Sequence, residues 1–144
     1  MIKLKKDNFK MFINGEWVNA EDKAILEAYN PANSEYLANF PDASESDVNK
    51  AVDAAREAFK AWRKTTVSER ATILNKIADI IDENTELLAI TESLDNGKPI
   101  RETMAVDVPL SAKHFRYFAG CILADEGQAT VLEEKFLSIV LREP

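Results

Sequence analysis

Cys121 and His114 are the one thiol and the one imidazole of this chain, and they form the first pair that could act as nucleophile and base. They stand seven residues apart on a helical pattern. Two helical turns along one face separate them by about 10 Å, too far for proton transfer without bending. A small buried cysteine and a packed or cavity-lining histidine are therefore the stronger readings. One imidazole, one thiol and scattered carboxylates offer no transition-metal set. Glu133-Glu134 reads as a solvated turn more simply than as an acid–base pair. The four glycines form neither a G-x-G-x-x-G nor a G-x-x-x-x-G-K-[ST] phosphate loop.

One carboxylate breaks a local rule. In Leu94-Asp95-Asn96-Gly97-Lys98-Pro99 every other residue suits a helix stop. Asn96-Gly97 can take the left-handed position after the last turn, Lys98 complements the negative helix end, and Pro99 blocks continuation. Asp95 instead adds negative charge where the macrodipole already disfavours it. Two readings stay open: an exposed Asp in a turn, or a carboxylate awaiting a cation, a basic side chain or free backbone N–H groups.

The elements that must position these residues follow from patterning. At 144 residues, with 46% hydrophobic and 30% charged side chains, the composition is that of an ordinary single globular domain. A net charge of −7 and a pI near 4.8 argue against nucleic acid or an anionic membrane as partner. The short basic opening Lys3-Leu4-Lys5-Lys6 does not reverse that balance. No apolar run reaches the length of a membrane span. A single cysteine excludes an internal disulfide and fits a reducing compartment, so the cytoplasm is expected.

Along the chain, residues 1–10 are polar and expected to be loosely held. Met11-Phe12-Ile13, Asn14-Gly15 and Glu16-Trp17-Val18 predict a tight hairpin, because Asn-Gly supplies the two positive-φ positions of a type I′ turn. Ile25 to Tyr29 and Tyr36 to Phe40 flank a turn at Asn30-Pro31-Ala32-Asn33. Ser44 or Ser46 caps a first helix whose apolar stripe is Val48, Ala51, Val52, Ala55, Phe59 and Trp62. Thr66-Val67-Ser68-Glu69 is a capping box for a second helix, with Ile73, Leu74, Ile77, Ile80 and Ile81 inward and Arg70, Lys76, Asp79 and Asp82 outward. Asn84 is expected to cap a third helix running to Gly97. A fourth helical pattern spans about Ile100 to Ala124, and Pro109 within it predicts either a kink or a restart from Asp107 as N-cap. After Gly127 the period becomes two, and Thr130 to Leu132 with Phe136 to Leu141 predict a final hairpin about Glu133-Glu134-Lys135. The exposed-looking apolar last strand requires a cover.

Taken together and in order, Phe12-Ile13-Asn14-Gly15-Glu16-Trp17, Asn30-Pro31-Ala32, the Ala51-to-Trp62 helix, Leu94-Asp95-Asn96-Gly97-Lys98-Pro99 and His114-Phe115-Arg116-Tyr117-Phe118-Ala119-Gly120 resemble the NAD(P)-dependent aldehyde dehydrogenases. The likeness runs from about Met11 to Pro144. Gly97 to Thr103, Asp107-Val108-Pro109-Leu110 and Ala119-Gly120-Cys121-Ile122 look closest to the branch that oxidises acetaldehyde and other short aliphatic aldehydes. Ser34 departs from the glycine usual in the family's turn.

The resemblance implies an α+β fragment of the α/β aldehyde dehydrogenase fold, one N-terminal segment with β-hairpins over 1–43, helices over 44–127 and a hairpin arm over 128–144. It implies the opening part of the family's sequence, so that the nucleophilic cysteine, the glutamate base, the oxyanion-hole asparagine and the cofactor glycines lie beyond Pro144. Cys121 does not match the nucleophile's surroundings. In the intact family a thiolate attacks the aldehyde, hydride passes to NAD or NADP, and water hydrolyses the thioester. Leu110 and His114 match wall positions of the aldehyde tunnel, and the 129–141 hairpin matches the arm that joins a homo-oligomer. In some members a monovalent cation is held by the aspartate matching Asp95 and by carbonyls matching Ala28 and Tyr29. The expectation is thus an N-terminal part of an aldehyde dehydrogenase, inactive alone and marginal or self-associating. The rivals are a short chain that associates with full-length subunits, and a small enzyme using Cys121 and His114.

Overall fold

The computed structural model describes residues 8–141, so Lys3-Leu4-Lys5-Lys6 lies outside the described residues. The elements are β1 (Met11–Ile13), β2 (Glu16–Val18), β3 (Ile25–Tyr29), β4 (Tyr36–Pro41), α1 (Glu45–Trp62), α2 (Val67–Glu83) and α3 (Thr85–Asn96). They continue with α4 (Ile100–Glu102), a π-helical turn (Thr103–Asp107), α5 (Val108–Ala124), β5 (Gln128–Leu132) and β6 (Phe136–Val140). Among the described residues the strands pair with their sequence neighbours, as three antiparallel two-stranded sheets. This is the α+β arrangement that the patterning predicts.

In the first hairpin Asn14 and Gly15 both hold positive φ, 52° and 82°, and Phe12 packs across the strands on Trp17 with ring centres 5.0 Å apart. In the second, pairing steps from Ala28/Ala38 to Tyr29/Tyr36, leaving Leu37 as an extra residue that bends β4. Ser34 sits in the left-handed region at φ 60° while its N–H donates to Asn30 O at 2.7 Å. At the start of the described residues Phe9 is tied to β4, its N–H donating to Asn39 O at 2.9 Å.

The capping box predicted at Thr66 forms, and a second one forms at Ser44. Ser44, not Ser46, caps α1, with Asp47 as its reciprocal partner. One Asp47 oxygen accepts from Ser44 N–H at 3.0 Å, Ser44 Oγ at 2.8 Å and Glu21 N–H at 3.2 Å. Asp47 therefore ties α1 back to the segment after β2, and it is buried at 4% exposure. Those three donors, the Ser44 hydroxyl foremost, hold its carboxyl below the usual carboxylate range. Glu69 repeats the device at α2, accepting from Thr66 N–H at 2.7 Å.

Asn84 does not act as the expected cap of α3. Its side-chain N–H donates to Ile80 O at 2.8 Å, so the amide closes the end of α2 and leaves α3 without a side-chain cap. An amide carries donors as well as an acceptor, and at a junction of two helices the orphan carbonyls compete for it.

The helical core is a seam of small residues. Ala71 and Ala78 of α2 and Ala112 and Ala119 of α5 are buried, with Ala89 and Val108 beside them. Both alanine pairs are seven apart, two turns on one face, and side chains this small let helix backbones approach closely. Asp79 and Asp82 do not simply face solvent. Arg116 of α5 donates to both at 2.7 Å. The expected α2 stripe is split: Leu74, Ile77 and Ile81 are half-buried, while Ile73 and Ile80 stay exposed. The α1 stripe of Val48, Val52, Phe59 and Trp62 is exposed as well.

Near Pro109 the chain neither breaks nor restarts from a cap. Asp107 is helical at φ −65° and ψ −52° with no side-chain cap, and its carboxylate accepts from Lys98 Nζ at 2.6 Å. The helix widens instead, with Val108 N–H donating to Thr103 O. Pro109 has no N–H and its ring needs room against the preceding turn, so a ladder bond is lost here in any case.

Asp47 has a depressed pKa, so its contribution is complete above the unfolded value of about 3.9 and fades as pH falls through the folded value. The helical circular dichroism of the wild type should drop on acidification more than that of Asp47→Ala, which starts lower. Equal acid profiles would remove the anchor. Gly97 at φ 77° would place a new Cβ 3.1 Å from Pro31 Cγ. Gly97→Ala should therefore destabilise by about 1–2 kcal/mol, while Ser34→Gly should stabilise by about 0.5 kcal/mol after the glycine entropy is offset, both read by denaturant titration.

Candidate functional site

The helix stop is built from local polar geometry. Gly97 N–H donates to Ser93 O at 3.1 Å, Lys98 N–H donates to Asn96 Oδ1 at 2.8 Å, and Ser93 Oγ donates to Lys98 O at 2.6 Å. The approach of Gly97 to Pro31 and Ala32 sets this stop against the turn that follows β3. Lys98, which sequence reasoning assigned to the helix end, reaches forward to Asp107 and lies 3.8 Å from Glu92. The Asp107 carboxylate raises the Lys98 ammonium above its usual range.

Asp95 is exposed, and among the described residues its carboxylate has no hydrogen bond or ion pair. It borders a cavity of about 580 Å³ between the second hairpin and α2, α3 and α5. Ala28, Leu37, Leu88 and Val108 give that cavity apolar walls, with Thr91, Glu92 and Ser111 adding polar atoms. Ala28 and Asp95 are thus brought to one hollow. Tyr29 follows at the bulge, where its hydroxyl donates to Glu27. That bond raises the Tyr29 phenol above its ordinary range. Among the described residues no group of three His, Cys, Asp or Glu side chains could hold a metal. A site of one carboxylate plus backbone carbonyls, which suits a hard monovalent ion, falls outside that pattern.

The second candidate is the outer face of α5. Leu110, His114, Tyr117 and Cys121 fall within about 60° of arc, opposite Ala112 and Ala119. Leu110, His114 and Tyr117 are exposed and Cys121 is half-buried, rather than the small buried residue expected. Cys121, one helical turn on, pushes the Tyr117 phenol upward. The thiol's neighbour is therefore a phenol rather than His114. Sequence reasoning missed Tyr117, although its place in the i, i+4, i+7 stripe was readable. Glu133 and Glu134 hold φ of 50° and 57° at the two central positions of the last turn, which gives them a backbone role.

The widest feature is uncovered apolar surface. Among the described residues the buried apolar side chains are alanines and Val108, while every strand position of β5 and β6 is exposed. Ala129, Val131, Leu137 and Ile139 form a wholly apolar hairpin face. The accessible surface is 11,090 Å², half as much again as the roughly 7,400 Å² usual for this mass. No helix among the described residues is long and apolar enough to cross a membrane.

Comparison with known proteins gives this surface a context. The aldehyde dehydrogenase family model matches residues 17–144. An acetaldehyde dehydrogenase of Pseudomonas aeruginosa is 45% identical over 139 residues, 96% of this chain and 28% of the relative. A long-chain-aldehyde dehydrogenase of an Acinetobacter species is 41% identical over the same shares. The NAD+ complex of an aldehyde dehydrogenase from Bacillus cereus superposes with a TM-score of 0.86 at 40% identity, covering 93% of this chain and 28% of that one. This chain thus spans somewhat more than a quarter of the relatives' length. By sequence and by fold, it belongs to the aldehyde dehydrogenase family.

Proposed function

We propose that residues 1–144 act as one N-terminal segment of an enzyme that oxidises a short aliphatic aldehyde to its carboxylic acid, with NAD or NADP and through a thioester. One observation carries the reading: a family match over 17–144 falls on a chain whose large apolar side chains are mostly uncovered. Such a surface suits a scaffold that the remainder of an enzyme packs upon. The nucleophile, the activated water and the dinucleotide site belong, in this reading, to family segments that follow this one. The named activity of the Pseudomonas relative and the bound NAD+ of the Bacillus relative support substrate and cofactor. Leu110 and His114 wall the aldehyde path, the 129–141 hairpin joins subunits of a homo-oligomer, and the cytoplasm is the compartment.

Asp95, with the backbone carbonyls of Ala28 and Tyr29, is proposed to hold a monovalent cation. Its unpaired carboxylate on the Ala28-lined cavity fits that role. The ion would offset negative charge at the end of α3 and tie that end to the second hairpin. A second reading is favoured by the apolar face of β5 and β6: the chain associates with full-length subunits as an interaction module.

Purified chain given acetaldehyde and NAD+ should form no NADH above an aldehyde-free blank. Aldehyde-dependent turnover that Cys121→Ser abolishes would overturn the scaffold reading in favour of a small enzyme. Crystals soaked in thallium(I) should show an anomalous peak beside Asp95 that Asp95→Ala removes. A peak that survives the substitution would discard the cation assignment.

A further inference from the structure

The π-helical turn joins two burial patterns that an unbroken α-helix could not satisfy together. Thr103 and Val108 are both buried, five residues apart, with Thr103 at 0% exposure. At α-helical pitch five residues leave two side chains about 140° apart around the axis. The wider turn, closed by Val108 N–H to Thr103 O, returns them to one side. Upstream, Thr103 is pinned to α3, because its Oγ1 donates to Ala89 O at 2.9 Å and also contacts Ile100 O at 3.2 Å. Downstream, burial at Val108, Ala112 and Ala119 keeps α-helical spacing against the alanines of α2. The turn's last residue, Asp107, is clasped by Lys98 at 2.6 Å.

We infer that Thr103 and Asp107 are positioning residues, which hold the π-helical turn and thereby set the rotational phase of α5. Replacing the wide turn by α geometry over the same residues would rotate one end against the other by about 100°. Either Thr103 would leave its seat on α3, or the stripe of Leu110, His114, Tyr117 and Cys121 would swing towards α2. The phase thus decides which side chains α5 presents on the face assigned above to the aldehyde path. The use of that face rests on the proposed function; the phase itself does not.

Cys121, the one thiol, reports the phase directly. Its maleimide modification rate would be measured in the 144-residue chain for wild type, Thr103→Val and Asp107→Asn, with circular dichroism on each sample. A parallel background deletes Ala105 and carries Pro109→Ala, which brings Thr103 and Val108 to α-helical spacing and makes the wide turn unnecessary. Thr103→Val should change the labelling rate several-fold in the native background, Asp107→Asn should change it less in the same direction, and neither should change it in the shortened background. Unchanged rates in the native background overturn the inference. Equal changes in both backgrounds also overturn it, since they report only a loosened core. The readout needs no aldehyde, so a failed dehydrogenase reading would leave the labelling result intact.

Discussion

The close contact of α2 with α5 is the constraint on which the rest of this chain depends. Ala71 and Ala78 of α2 and Ala112 and Ala119 of α5 are buried where these helices are in contact, and side chains this small let helix backbones approach closely. Alanine loses no side-chain entropy on burial but also buries little area, so the seam gives geometry more than adhesion. Arg116 spans the seam to Asp79 and Asp82, two exposed pairs of modest worth that fix register rather than supply stability. With so thin a core, several larger side chains of both helices, among them Ile73, Ile80, Leu110 and Phe118, stay exposed.

Local chemistry was the legible part of this fold. The capping boxes at Ser44 and Thr66, the Asn14-Gly15 turn and the stop at Gly97 each depend on a few neighbouring residues, and each forms as the residue types dictate. Reading failed where two local demands met. Asn84 could serve the end of one helix or the start of the next, and the sequence carries no sign of which carbonyls are nearer. The π-helical turn was unreadable for a similar reason, since it reconciles distant packing seats and has no residue signature beyond Pro109.

Burial was the harder inference. A hydrophobic stripe marks a face that must be covered, yet periodicity does not say by what. Ile73, Ile80 and the large side chains of the α1 stripe looked like core and lie open, while alanines that add little to any hydrophobic pattern are the residues that pack. The odd carboxylate at Asp95 was legible as an anomaly, and its hollow with Ala28 was not, because the second hairpin reaches it only in three dimensions. Tyr117 was visible in the stripe of α5 but drew no notice without the thiol one turn on, which shifts its phenol.

The last hairpin has a consequence for how this chain behaves in a crowded cell. Its two faces differ: Ala129, Val131, Leu137 and Ile139 are apolar, whereas Thr130 and Ser138 place hydroxyls on the other side. A slip of one residue would exchange the faces, and a β6 freed from its partner would offer its edge to any passing strand. Glu133 and Glu134, held in the left-handed region at the tip, carry like charges that would line up along the side of any stack of these hairpins and repel one another. Charges placed beside an unavoidable apolar strand oppose such stacking as a general rule.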